Sequence, residues 1–151
     1  MEGKNWWITK SLPLTANQIM TAKVLMNLTL MLPFYLASEV MMVIALKPGL
    51  MELVWLLVIP AAIILFACVF GITGNLLLPS FNWDSEVSVV KQSGAAAVGG
   101  FGGLLATIVF AVAVLLSGAY ADAAKLGGTL LLLLAAALLH RKNISTDLKK
   151  L

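Results

Sequence analysis

Four long, nearly unbroken apolar runs, at about 24–46, 53–78, 95–117 and 121–139, constrain this chain more than any other feature of its sequence. Each comes close to the roughly 20 residues that a helix needs to cross about 30 Å of hydrocarbon. Inside lipid every backbone polar group must be paired internally, and for runs of this length the α-helix is the structure that does so. Composition agrees, since 61% of the residues are hydrophobic and 11% charged, where a soluble domain carries about 25% charged residues. The reading is an all-α integral membrane protein with about four transmembrane helices in a single transmembrane domain, 1–151. Residues 1–23 are expected to form a cytoplasmic or interfacial segment, a cytoplasmic loop to join spans two and three, and 140–151 to form a cytoplasmic tail.

The boundaries follow from local signals. The first run ends at Lys47-Pro48-Gly49, a turn signal, and the second stops at Pro79. The fourth run is the shortest, because Asp122 and Lys125 leave only about 14 uninterrupted apolar or small residues, below the usual length of a span. Orientation is read from basic residues, which favour the cytoplasmic side. With the amino terminus inside, Lys4, Lys10, Lys23, Lys91, Arg141, Lys142, Lys149 and Lys150 are cytoplasmic and only Lys47 and Lys125 face out. The expected placement is a multi-pass protein of the cell membrane with both termini cytoplasmic. A net charge of +3 divided in this way suits a bilayer and not nucleic acid.

Two polar segments stand out. Thr15-Ala16-Asn17-Gln18 has the spacing of a capping box, with the Thr15 side chain accepting from the Gln18 N–H, so a helix should begin at Ala16. Continued to Leu46, that helix would be roughly 46 Å long, and its first turns, up to Lys23, must stand in the interface. Before it, Trp6, Trp7, Ile8 and Leu12 alternate with Lys4, Lys10 and Ser11, as in a segment lying among headgroups. The second segment, 79–93, carries Phe81, Trp83, Val87 and Val90 at spacings that make one apolar stripe, with Asp84, Glu86 and Lys91 facing water. It reads as an interfacial loop anchored by Trp83 or as a docking surface for a partner.

Ionisable groups inside spans are costly and tend to be functional. Glu39 is the candidate here, about seven residues or roughly 10 Å from the end of the first span. It could line a substrate path or carry a proton. It could also sit high enough to reach water and headgroups, which is the favoured reading because no other span offers a clear basic partner at its depth. His140, beside Arg141 and Lys142, reads as a boundary residue. One His and the distant Cys68 cannot build a metal site, no cofactor is implied, and Cys68 reads as a small buried hydrophobe. No catalytic constellation is found, so the chain is expected not to be an enzyme.

Gly94, Gly99, Gly100, Gly102 and Gly103 open the third span, and Gly99 to Gly103 has the four-residue spacing that lets membrane helices approach closely. A phosphate loop would need a preceding strand and a Lys-Ser or Lys-Thr, which are missing. Gly71, Gly74 and Asn75 suggest packing or a bend, and Pro33 and Pro60 suggest kinks. Asn27-Leu28-Thr29 and Asn143-Ile144-Ser145 fit the glycosylation pattern. The first falls in a span and the second on the cytoplasmic side, so neither should be used.

Glu2-Gly3-Lys4-Asn5-Trp6-Trp7, then Lys10-Ser11-Leu12-Pro13-Leu14 and Ala22-Lys23, resembles a stretch of ATP-binding-cassette (ABC) exporter permeases. Phe81-Asn82-Trp83-Asp84, with Glu86-Val87 and Val89-Val90-Lys91-Gln92-Ser93, is similar to the cytoplasmic loop of a bacterial exporter branch of the ABC-2-like group. The resemblance implies a cytoplasmic surface, including Glu2, Gly3, Lys4, Pro13, Lys23, Trp83, Glu86 and Lys91, that meets an ATPase subunit whose closure switches the spans. It also implies a partner ATPase on a separate chain and a second permease half or a homo-oligomer. A permease half of this kind has six or more spans, so the chain resembles the carboxy-terminal part of one. The alternative is a small helix-associating membrane protein, an assembly factor or pore-forming oligomer, built on the face of Gly99 and Gly103.

Overall fold

A computed structural model describes residues 15–77 and 94–145. They form four long α-helices: α1, Ala16–Leu46; α2, Leu50–Leu77; α3, Gly94–Leu116; and α4, Ala121–Ser145, the last entered through a 3-10 turn at Gly118–Tyr120. All four are long and apolar enough to cross a membrane. Over the described residues the protein is all-α with four membrane-spanning helices, as its apolar runs predict.

α1 begins where its capping box places it. The Thr15 side chain accepts from the Gln18 N–H at 3.3 Å, and the Gln18 side-chain oxygen Oε1 accepts from the Thr15 N–H at 2.9 Å, so two backbone donors at the helix start are satisfied. α1 closes on Lys47, which takes a left-handed conformation and returns its N–H to Val43 O at 3.0 Å. Pro33 and Pro60 both lie within helices. α4 does not end at Leu139 but continues through His140, Arg141 and Lys142 to Ser145. The physical reason is that Asn143 and Ile144 still pack inward, so the last turns gain contacts by staying helical.

The helices alternate in direction. α2 and α3 run antiparallel, with Gly99 opposite Gly71 and Gly103 opposite Ala67, and α2 and α4 run parallel, with Thr73 beside Asn143. Consequently Ala16, Leu77, Gly94 and Ser145 gather at one end of the bundle, here the tail end. The α1–α2 turn and the α3–α4 turn sit at the other, the turn end. α2 packs against each of the other three helices. The buried core lies toward the tail end, where Met20 and Val24 of α1 meet Val69 and Ile72 of α2 and Ala136 of α4. Most other large apolar side chains, among them Phe34, Met41, Phe101 and Leu131, are exposed on the bundle surface, which is the arrangement expected where hydrocarbon is the solvent.

Candidate functional site

Polar groups are few in these helices, so each buried one is informative. At the tail end Asn143, 2% exposed, exchanges hydrogen bonds with Thr73: its amide donates to Thr73 Oγ1 at 3.1 Å, and the Thr73 hydroxyl lies 3.2 Å from Asn143 Oδ1. The same hydroxyl lies 3.0 Å from the Val69 carbonyl, so two acceptors share this one donor. In an apolar surround this is a pin between α2 and α4. It also closes the Asn143 acceptor sequence to modification, because the amide nitrogen is buried and in use.

The Gly99–Gly103 face is turned inward, onto α2 of the same chain. A Cβ on Gly99 would stand 3.1 Å from the Gly71 Cα, and one on Gly103 would stand 3.2 Å from the Ala67 Cβ. At Gly102 the Phe70 ring fills the space that a Cβ would need, and at Gly128 of α4 a Cβ would meet the Phe110 ring at 2.6 Å. Phe70 in turn stacks on Phe66, centroids 5.6 Å apart. Close approach of α3 to α2 thus depends on small residues on both helices. This face is engaged by α2 of the same chain.

At the turn end Glu39 lies on the inward stripe of α1 that also carries Met20, Val24, Leu28 and Tyr35. It is 6% exposed, which corrects the expectation that it reaches water. Its Oε2 is buried and has no hydrogen-bond partner among the described residues. Tyr35, one turn away, donates its hydroxyl to Leu57 O across to α2 at 2.8 Å. Trp55 of α2 has a buried Nε1 that likewise has no partner among the described residues. Lys125 of α4 reaches over the Trp55 ring, Nζ 6.0 Å from its centre, while paired with Asp122 at 2.9 Å. Among the described residues the ion-pair partner of Lys125 is Asp122, and no ion pair joins it to Glu39. The short pairing between Asp122 and Lys125, both in the opening turns of α4, explains how that helix accommodates two charges.

Of the residues expected to face an ATPase, Lys23 stands in the second turn of α1, half-buried beside Met20 and Val24. Glu2, Gly3, Lys4, Pro13, Trp83, Glu86 and Lys91 lie outside the described residues, as does the interfacial segment before Thr15. Among the described residues no three of His, Cys, Asp and Glu come together to hold a metal ion. Cys68 is free and buried in α2.

Sequence reasoning passed over Trp55, Thr73 and Phe70. Each stands in an otherwise apolar run where only a partner on another helix gives it meaning. The polar character of Thr73 and the indole of Trp55 were the available signals.

Compared with known proteins, residues 1–142 match the model of one family, described as membrane protein of 12 TMs. No curated protein and no solved structure matches the chain.

Proposed function

The chain belongs to this family of membrane proteins with 12 transmembrane segments, and from that premise we propose that it is a membrane-spanning portion of an ABC exporter permease, driven by an ATPase on a separate chain. The observation that carries the reading is the pair of sequence motifs, Glu2 to Lys23 and Phe81 to Ser93, that resemble the ATPase-facing segments of such permeases. Their attachment points support it. The first motif leads into α1 at Ala16, and the second lies between Leu77 and Gly94, which are at the same end of the bundle as Ala16. One partner docking at the tail end could therefore engage both. With the tail end cytoplasmic, as the basic residues favour, the chain has the four helices' turns outside and its ATPase partner inside. The work done is mechanical: closure of the partner moves the feet of α1, α2 and α3 together.

The test is co-purification of the tagged chain with an ATP-binding-cassette subunit encoded beside it. The wild type should retain the subunit, and Glu2→Ala, Pro13→Ala and Lys23→Ala should each reduce retention at least several-fold while membrane insertion is unchanged. Full retention by all three variants refutes docking through this surface.

A further inference from the structure

Hydroxyls and amides inside these spans are mostly returned to a carbonyl close by. Thr29, Ser38, Thr107 and Thr129 each donate to a carbonyl three or four residues back, and the Asn75 amide donates to Gly71 O at 3.0 Å. Asn27 of α1 departs from this. Its side chain is exposed and makes no hydrogen bond among the described residues, neither to its own helix nor to another. It stands one turn beyond Lys23, where the interface is expected to end, and roughly 28 Å from Leu46 at 1.5 Å per residue. That places it within a hydrocarbon layer about 30 Å thick, on a side chain too short to extend to the headgroups as a lysine does.

Met31, Phe34, Ser38, Met41 and Ala45 follow Asn27 in alternating steps of four and three residues, and all are exposed. This is the 3.5-residue period along which two parallel helices meet in one seam. Ser38 and Ala45 are small enough for close approach, and Phe34 and Met41 are bulky enough to fill the hollows between. The seam is distinct from the inward stripe that carries Met20, Val24, Tyr35 and Glu39. Two features select what covers it. A carboxamide carries both donor and acceptor, so two Asn27 side chains face to face satisfy each other through reciprocal N–H···O bonds, which an acyl chain cannot do. Basic residues orient every copy alike in the membrane, so neighbouring α1 helices run parallel and equal residue numbers stand at equal depth. A two-fold axis along the membrane normal then sets Asn27 against Asn27.

We infer that α1 pairs with α1 of a second copy of this chain through the seam of Asn27, Met31, Phe34, Ser38 and Met41, the two Asn27 amides bonded to one another. One polar pair in an apolar seam also fixes the register, because a slip of one turn sets an Asn27 against Met31 and parts the amides. The pairing uses neither the ATPase-facing motifs nor the contact of α3 with α2, so it stands or falls separately from the exporter reading.

The experiment uses the full 151-residue chain in a Cys68→Ala background, labelled through Ser145→Cys with donor or acceptor dye and reconstituted in phospholipid vesicles over a series of protein-to-lipid ratios. Energy transfer should report a dimer. Asn27→Leu should raise its Kd about tenfold, and Asn27→Gln, which keeps the amide, should restore most of the loss. Asn27 is exposed, so neither change touches buried packing, and unchanged helix content by circular dichroism checks this. A second arm puts a single cysteine on the seam in native membranes. Phe34→Cys should give disulfide-linked dimers on oxidation, whereas Leu36→Cys, exposed at the same level but about 200° round the helix, should not. Absence of transfer at every ratio assigns the face to lipid and overturns the pairing, as does equal dimerisation by Asn27→Leu or equal cross-linking through Leu36→Cys. Cross-linking of Phe34→Cys to a different membrane chain, with no linked dimer, would give the face to another permease half and likewise overturns it.

Discussion

At the scale of single residues, the polar side chains are set against an apolar background where each is conspicuous. The Thr73–Asn143 pair shows what such a contact supplies. Interhelical hydrogen bonds in membrane proteins contribute about 0.6 kcal/mol on average and up to about 1.7 kcal/mol. Thr73→Val removes a donor and leaves Asn143, nearly fully buried, with an unsatisfied amide. The expected loss is about 1–2 kcal/mol, read as a lower unfolding midpoint of the purified chain in a denaturing detergent titration. The double variant Thr73→Val/Asn143→Leu should recover part of that loss, since both polar partners are then gone; no recovery would mean that the pair is not the source. Neither residue announces this role in the sequence, because a Thr within one apolar run and an Asn after another acquire a shared meaning only when α2 and α4 are brought side by side. Glu39 was visible as a lone acid, but its burial was not, since the inward stripe of α1 depends on which neighbours it meets.

At the scale of elements, the helices themselves were legible. Apolar run length fixed their number, and the Thr15 capping box fixed the start of α1 to the residue. Their far ends were less so, because α4 continues past its last Leu for the sake of contacts made by Asn143 and Ile144. The seam between α2 and α3 was half visible: the spacing of Gly99 and Gly103 predicts close packing, yet the partner, Gly71 and Ala67 in the same chain, is a tertiary fact. Gly103→Leu should push α3 away from Ala67 and cost about 1–3 kcal/mol as an overpacked contact, whereas Gly100→Leu, where a Cβ meets nothing within 4 Å, should be far milder. Thermal unfolding of the two variants in the same detergent checks this, and equal midpoints would count against the seam. Lys47 tests the turn. It holds a left-handed conformation, φ 45°, which glycine adopts without strain, so Lys47→Gly should stabilise the chain by about 0.5–1 kcal/mol.

At the scale of the whole molecule, the alternation of four helices places both ends of the described chain on one side. In a Cys68→Ala background, Gly49→Cys and Ser145→Cys give single thiols at opposite ends of the bundle. With the basic residues inside, a membrane-impermeant maleimide applied to intact cells should label Gly49→Cys at once and Ser145→Cys only after permeabilisation. Labelling of both from outside would contradict the alternation, and the reverse order would invert the orientation and remove the cytoplasmic surface on which an ATPase could dock.

The aromatic ring of Phe70 lodged in the hollow at Gly102 has a mechanical consequence. A seam of small side chains alone would let one rod glide smoothly along the other, but a knob seated in a notch has to be lifted out before either can advance. One turn along, at Gly99, the hollow is already filled by the Gly71 backbone, so ring and backbone together key the two rods to a single register.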